Sequence, residues 1–232
     1  VVDLRYNSGG SVESSNDLAS MITGQFNGEV FYREIWNEEF QARLESTDPE
    51  SLVNRFNNRT NSGAAINSLN LGKVYFLTTL RTASASELLI NGLKPYIDVV
   101  QIGENTTGKF QASTTLYDSP TFRRNNVNTG HTYAVQPLIY KTANAAGVTD
   151  YVDGLVPDVE ISENIRNLGI LGDPEEPLLA AALSIIAGNG PIESKFKEEL
   201  FLILGESGMQ DALYQKMYTP EAIPLLSQTL VD

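Results

Sequence analysis

The chain has 232 residues, about one to one and a half domains of ordinary size. Its composition, 41% hydrophobic and 19% charged, excludes wholesale disorder, and the absence of cysteine excludes a disulfide framework, a thiol nucleophile and thiolate metal sites. One histidine excludes a multi-histidine metal centre, and a net charge of −13 argues against nucleic-acid binding.

VVDLR at the start reads as a strand already under way, feeding a glycine-rich turn, NSGGS. With no Met or basic leader before it, this opening is read as cut from a longer precursor. Ser14, Ser15 or Asn16 is expected to cap a helix carrying Leu18, Ala19, Met21 and Ile22. Alternation over residues 25–35 predicts a strand or hairpin. DPESLVNRFNN predicts a short amphipathic helix with Asp48 as N-cap, Pro49 first, and Leu52, Val53 and Phe56 on one face.

LGKVYFLTTL (71–80) predicts a buried, parallel strand. RTASASELLINGLKPY predicts a helix from about Ser86 that ends before Pro95, and VVQIGE (99–104) a second buried strand. That order predicts a right-handed crossover in an α/β domain. Two β segments, ASTTLY and HTYAVQPLIYKT, follow, then a turn and strand in DGLVPDVEI. Residues 173–188 predict a capped apolar helix stopping at Gly188. From about Pro191 the tail changes character: Phe196, Leu200 and Leu204 have helical spacing, and TPEAIPLLSQTL predicts a second short helix. The chain therefore divides into a main domain, 1–188, and a helical C-terminal extension, 189–232. No run of about 18 apolar residues marks a membrane span.

The junction T-A-S-A-S-E lies between a buried strand and a helix. It aims the N–H groups of a first helical turn, at the positive end of the helix dipole, into one space. A serine there either places its hydroxyl beside an oxyanion site or, as Ser84 or Ser86, merely caps the helix. A nucleophilic serine needs a base. His131, in NTGHTYAV, has no obvious acid partner. Lys109 lies in the turn after the next strand of the same βαβ unit, at the carboxyl end where α/β sites collect. Its bland reading is a solvated loop lysine. Asp3 and Arg5 read as a structural ion pair, and Glu87 as a carboxylate favouring the helix N-terminus. Glu104 and Asp158 read as turn-stabilising acids, and no carboxylates are spaced for a metal.

Taken together, four segments in order resemble the carboxyl-terminal processing proteases, the tail-specific serine peptidases with a Ser-Lys dyad. VVDLRYNSGGSV is similar to their DLRxNxGG loop, TASASELLINGL to their nucleophile segment, GENTTGK to their GExTxGK lysine turn and DGLVPDVEI to their GxxPD strand. The interval 109 − 84 = 25 also agrees with theirs. The likeness covers about residues 1–188, and its wording is most similar to Bacteroidetes versions.

The resemblance implies a crotonase- or ClpP-like ββα spiral, a mixed sheet with flanking helices. It implies Ser84 as nucleophile and Lys109 as general base, with the backbone N–H of Ala85 and of Gly9 or Gly10 as oxyanion hole. Where some members carry an aspartate eleven residues after the serine this chain has Pro95; where others carry a glutamine four after the lysine it has Ser113. Gln111 is the candidate supporting residue. The implied activity is endoproteolysis of proteins or peptides near their C-termini, without metal or cofactor. A catalytically inactive peptide-binding member, a dyad esterase and a crotonase-type acyl enzyme are the alternatives. An upstream PDZ domain, export to the periplasm or envelope, and a lipid anchor on a preceding segment belong to the same expectation. So does self-association covering the edge left open at VVDLR.

Overall fold

The computed structural model describes residues 1–164, 166–190, 205, 207–211 and 214–219. In chain order these form β1 (Val2–Asp3), α1 (Val12–Thr23), β2 (Val30–Ile35), α2 (Glu38–Thr47), a 3₁₀ turn (Pro49–Leu52) and β3 (Val53–Arg55). Then come β4 (Lys73–Thr78), α3 (Ala85–Leu93), β5 (Asp98–Gly103), β6 (Gln111–Ser113), β7 (Leu116–Tyr117) and β8 (Ala134–Val135). β9 (Leu138–Asn144), β10 (Val159–Glu160), α4 (Pro177–Ile186), a second 3₁₀ turn (Ser207–Gln210) and β11 (Met217–Tyr218) complete the order.

The α/β expectation holds. One sheet, in the order β1-β4-β5-β10, is parallel throughout. β4, α3 and β5 form the expected strand–helix–strand unit, with Lys73 opposite Asp98 through to Thr78 opposite Gly103. A second, mixed sheet runs β11-β6-β9-β2-β3, and β7 pairs with β8 alone. Side-chain alternation on β4 explains the layers. Val74 and Phe76 face a core shared with α1, α3, β2 and β9, while Leu77 faces a smaller one with Ile102 and with Leu178, Ala181 and Ala182 of α4. The parallel sheet is thus covered by α4 on one face and α3 on the other.

All nine residues of α3 are buried. Leu88, Leu89, Ile90 and Leu93 each contribute about 1.5–3 kcal/mol by leaving water, which fixes this helix, and the turn that starts it, against the sheet.

Two local expectations are corrected. The N-cap of α1 is Ser11, upstream of the three candidates; its hydroxyl accepts from Ser14 N–H at 3.4 Å. The helix expected from Asp48 is a single 3₁₀ turn followed by β3, because α2 has just ended there: Asp48 N–H closes on Leu44 C=O, and Val53–Arg55 pair with β2. Leu52 and Phe56 are buried all the same, from a largely extended backbone. α2 went unexpected; Asn37 caps it by accepting from Phe40 N–H at 3.0 Å, with Glu38 and Glu39 in its first turn. In the tail, the described residues supply a 3₁₀ turn and a strand. The helical spacing at Phe196, Leu200 and Leu204, and residues 220–230 of the second expected helix, lie outside the described residues. No described helix is long and apolar enough to cross a membrane.

Candidate active site

β1, β4 and β5 are neighbours and parallel, so the loops at their carboxyl ends meet on one edge of the sheet. These are the NSGG loop, the turn before α3 and the turn that carries Lys109. The sequence-predicted residues Ser84, Ala85, Gly9, Gly10 and Lys109 are therefore brought to one place.

Ser84 is fully buried at the turn from β4 into α3, with φ 65° and ψ −117°. A side chain pays steric strain there of about 1–3 kcal/mol, which persists only where the surroundings impose it. Its hydroxyl has no hydrogen-bond partner. Ser84 stands at the N-cap of α3 in a capping-box arrangement with Glu87, but its hydroxyl makes neither a full side-chain cap hydrogen bond nor one to Lys109 in this structure. Ser86, the other serine of the motif, is occupied: its hydroxyl donates to Asn7 Oδ1 at 2.9 Å and so ties α3 to the NSGG loop.

The Ser84 backbone is held by Glu87, a fully buried carboxylate one turn into α3. Its Oε2 accepts from Ser84 N–H at 2.6 Å and from Lys109 N–H at 2.8 Å. Its Oε1 accepts from Gly108 N–H at 2.7 Å and from the Thr106 hydroxyl. The expected helix-terminus role of Glu87 is thus only half of what it does. A Glu three residues after a serine N-cap is a legible sign of capping; that the same carboxylate reaches across to the lysine turn has no local signal. The turn is further held by Thr107 N–H on Thr82 C=O at 2.9 Å, and by Gly108, whose α-carbon lies against the Val152 carbonyl. The Tyr151 hydroxyl is buried and unpartnered. Burial, and then the negative Glu87 nearby, push its phenol well above the ordinary value.

In the NSGG loop Gly9 touches the turn before α3 directly. A Cβ there would lie 2.5 Å from Ser84 Cβ and 2.9 Å from Ala85 N, at a φ of 103° that side chains avoid. Gly9 N–H is taken by Asn7 Oδ1 at 3.0 Å. Gly10 N–H and Ala85 N–H have no such acceptor among the described residues. Of the two candidate glycines, Gly10 is the one with a donor to spare.

The remaining candidates sit as follows. The Lys109 side chain is partly buried and makes no ion pair among the described residues. Gln111 opens β6, opposite Lys141. Ser113, at the position where some relatives were expected to carry glutamine, is buried and donates to Met217 C=O at 2.9 Å. His131 is exposed on the β7–β8 connection, with Nε2 3.1 Å from Asp118 Oδ2, an acid partner that the sequence did not reveal. Among the described residues no group of three His, Asp or Glu is arranged to hold a metal.

The expected Asp3–Arg5 pair forms and is larger than expected. Arg5 is buried and meets Asp3 through two bonds, at 3.0 and 2.6 Å, and also Glu176 at 2.7 Å and Glu163 at 3.3 Å. Glu176 is itself the N-cap of α4 and accepts from Leu179 N–H at 2.9 Å. Burial pushes the Asp3 carboxyl up, but its bonds to Arg5 outweigh this and hold it below its ordinary value.

Residues 1–161 match the sequence model of peptidase family S41. Among solved structures the chain is similar to an S41 protease of Bacteroides fragilis, at 29% identity and a TM-score of 0.65, over 81% of this chain and 44% of that one. It is also similar to mature CPAF, at 14% identity and a TM-score of 0.52, over 83% of this chain and 45% of that one. A third likeness, to a photosystem II D1 C-terminal processing protease, has 23% identity and a TM-score of 0.47, over 76% and 38% of the two chains. No curated protein matches the chain. The chain spans less than half the length of each of these three structures.

Proposed function

The chain belongs to peptidase family S41, and from that premise we propose that it is a serine endopeptidase working through Ser84 and Lys109. The observation that carries this is the backbone of Ser84: a residue forced to positive φ on a strand-to-helix turn, with an unpartnered hydroxyl beside free N–H groups. In this reading Lys109 Nζ, as the base, takes the Ser84 proton while Oγ bonds to the scissile carbonyl carbon. The oxyanion sits between Ala85 N–H and Gly10 N–H, where fixed dipoles stabilise it. The amine then leaves with the proton from Lys109, and water hydrolyses the acyl-serine with Lys109 again as base. Catalytic hydrogen bonds are commonly long without substrate, so Ser84 and Lys109 close on each other as peptide binds.

The substrates of the family are proteins or peptides. Cleavage near carboxyl ends, an extracytoplasmic location and the spiral form of the fold rest on the resemblance of the four segments and extend the same proposal. A second reading, peptide binding without turnover, is favoured by the full burial of Ser84 and by the missing Ser84–Lys109 hydrogen bond. A fluorophosphonate probe separates the two: peptidase chemistry labels the wild-type chain at Ser84, and a folded chain that resists the probe is a binding module. A panel of fluorogenic peptides and esters then separates peptidase from esterase.

A further inference from the structure

The loop that offers Gly10 N–H is conformationally expensive. Tyr6, Gly9 and Gly10 all have positive φ, at 64°, 103° and 143°. Such a segment has little preference for one shape and keeps it only when pinned from outside. In the middle it is pinned by Ser86 on Asn7, and at its carboxyl end by Tyr218 N–H on Gly10 C=O at 3.0 Å. At its amino end Asn7 N–H meets Leu4 C=O at 3.1 Å, Tyr6 N–H reaches Thr79 Oγ1 at 3.5 Å, and the side-chain pin is the Tyr6 hydroxyl. It lies 2.7 and 2.8 Å from the two oxygens of Glu163, which also meets buried Arg5. Glu163 in turn neighbours Glu176 through that same guanidinium. Both carboxylates follow residue 161, where the family match ends.

We propose that Tyr6 is a positioning residue for the Gly10 oxyanion donor, held in its left-handed conformation by Glu163 on the segment after the family match. The inference rests on the peptidase reading of the site. It concerns a side chain that touches neither nucleophile nor base: nearly half of the Tyr6 surface is exposed, so removing its hydroxyl leaves the core intact. Without that bond the strain at Tyr6 is opposed only by its long N–H contact to Thr79 Oγ1, at 3.5 Å, and by the backbone bonds of Asn7 to Leu4 and Ala83. The peptide planes up to Gly10 then relax, and the donor leaves its position beside Ala85 N–H.

The test uses Tyr6→Phe and Glu163→Gln, with Tyr133→Phe, an exposed tyrosine on another loop, as control. Fluorophosphonate labelling of Ser84 is resolved into its maximal rate and its half-saturating concentration, and amide exchange is followed across residues 6–11. Both variants are expected to lose about tenfold in maximal rate, part of what a missing oxyanion donor costs. Half-saturation stays unchanged in both variants and the melting temperature in Tyr6→Phe, exchange in the loop quickens in both, and the control behaves as wild type. Maximal rates within about twofold of wild type would overturn the inference, and so would quickened exchange without loss of rate. If the wild-type chain is not labelled at all, it is the peptidase reading that fails. The Tyr6–Glu163 pin is then judged by exchange alone: unchanged protection over residues 6–11 refutes it.

Discussion

The N–H of Ser84 and the N–H of Lys109 donate to one and the same oxygen, Glu87 Oε2, at 2.6 and 2.8 Å. The separation of Ser84 and Lys109 is therefore set through their backbones by a third residue. Glu87→Gln would turn an NH₂ toward two of the four donors, leaving buried N–H groups facing another donor. At about 1–3 kcal/mol for each unsatisfied group, the loss is roughly 2–6 kcal/mol. Urea unfolding should show the lowered midpoint, with labelling of Ser84 abolished; a wild-type midpoint would dismiss the clamp.

Ser84→Ala should separate chemistry from stability. It removes a buried hydroxyl with no partner, so the fold should be unchanged or more stable by about 1 kcal/mol. Peptide cleavage and covalent labelling should vanish. Turnover retained in Ser84→Ala but lost in Ser86→Ala would move the nucleophile to Ser86.

Lys109→Arg keeps a cation but gives up a usable base, since guanidinium does not deprotonate in a protein. It should be as inactive in peptide turnover as Lys109→Ala, and both should melt like wild type because the side chain makes no ion pair among the described residues. An active Lys109→Arg enzyme would transfer the base role elsewhere, with His131→Ala the next variant to assay.

Gly9→Ala should be costly out of proportion to one methyl group. The added carbon would overlap Ser84 Cβ at a φ of 103°. Strain of about 1–3 kcal/mol is expected, with a lowered melting temperature and a large fall in labelling rate. Gly10→Ala, whose added carbon meets nothing within 4 Å, should strain only its own backbone and melt higher than Gly9→Ala.

Acid should weaken the fold through Asp3. Its carboxyl is held below the ordinary value in the folded chain, so its contribution is complete above about pH 4, the unfolded value. The contribution fades as pH falls through the lower, folded value. Chemical denaturation between about pH 5 and 2 should show a steeper loss in wild type than in Asp3→Asn. Parallel curves would mean that Arg5 draws its stability from Glu176 and Glu163 alone.

Much of this was written in local sequence. The apolar run ending at Thr78, the small-residue turn and the helix that follows are short-range patterns, and the structure keeps them nearly residue for residue. The exchange of a helix for a strand near Val53 shows the limit: the same buried Leu52 and Phe56 satisfy either period, and pairing with β2 decides. In the site, the residue types were legible, but their partners were not. Glu87 finds Lys109 across 22 residues and Arg5 finds Glu176 across 171, and no periodicity records such meetings. The choice of Gly10 over Gly9 as the loop's free donor needed the Asn7 side chain in place.

Tyr218 N–H meets Gly10 C=O across 218 − 10 = 208 positions of chain. At about 5–20 residues per second of synthesis, roughly 10–40 s pass between the birth of the loop and the birth of the strand that closes it. During that interval a ribosome-bound polypeptide carries its serine and lysine turns without the last fastening of the NSGG loop. Order of manufacture thus separates the two partners in time: the loop at Gly10 is fastened last, by a strand made nearly the whole described chain later.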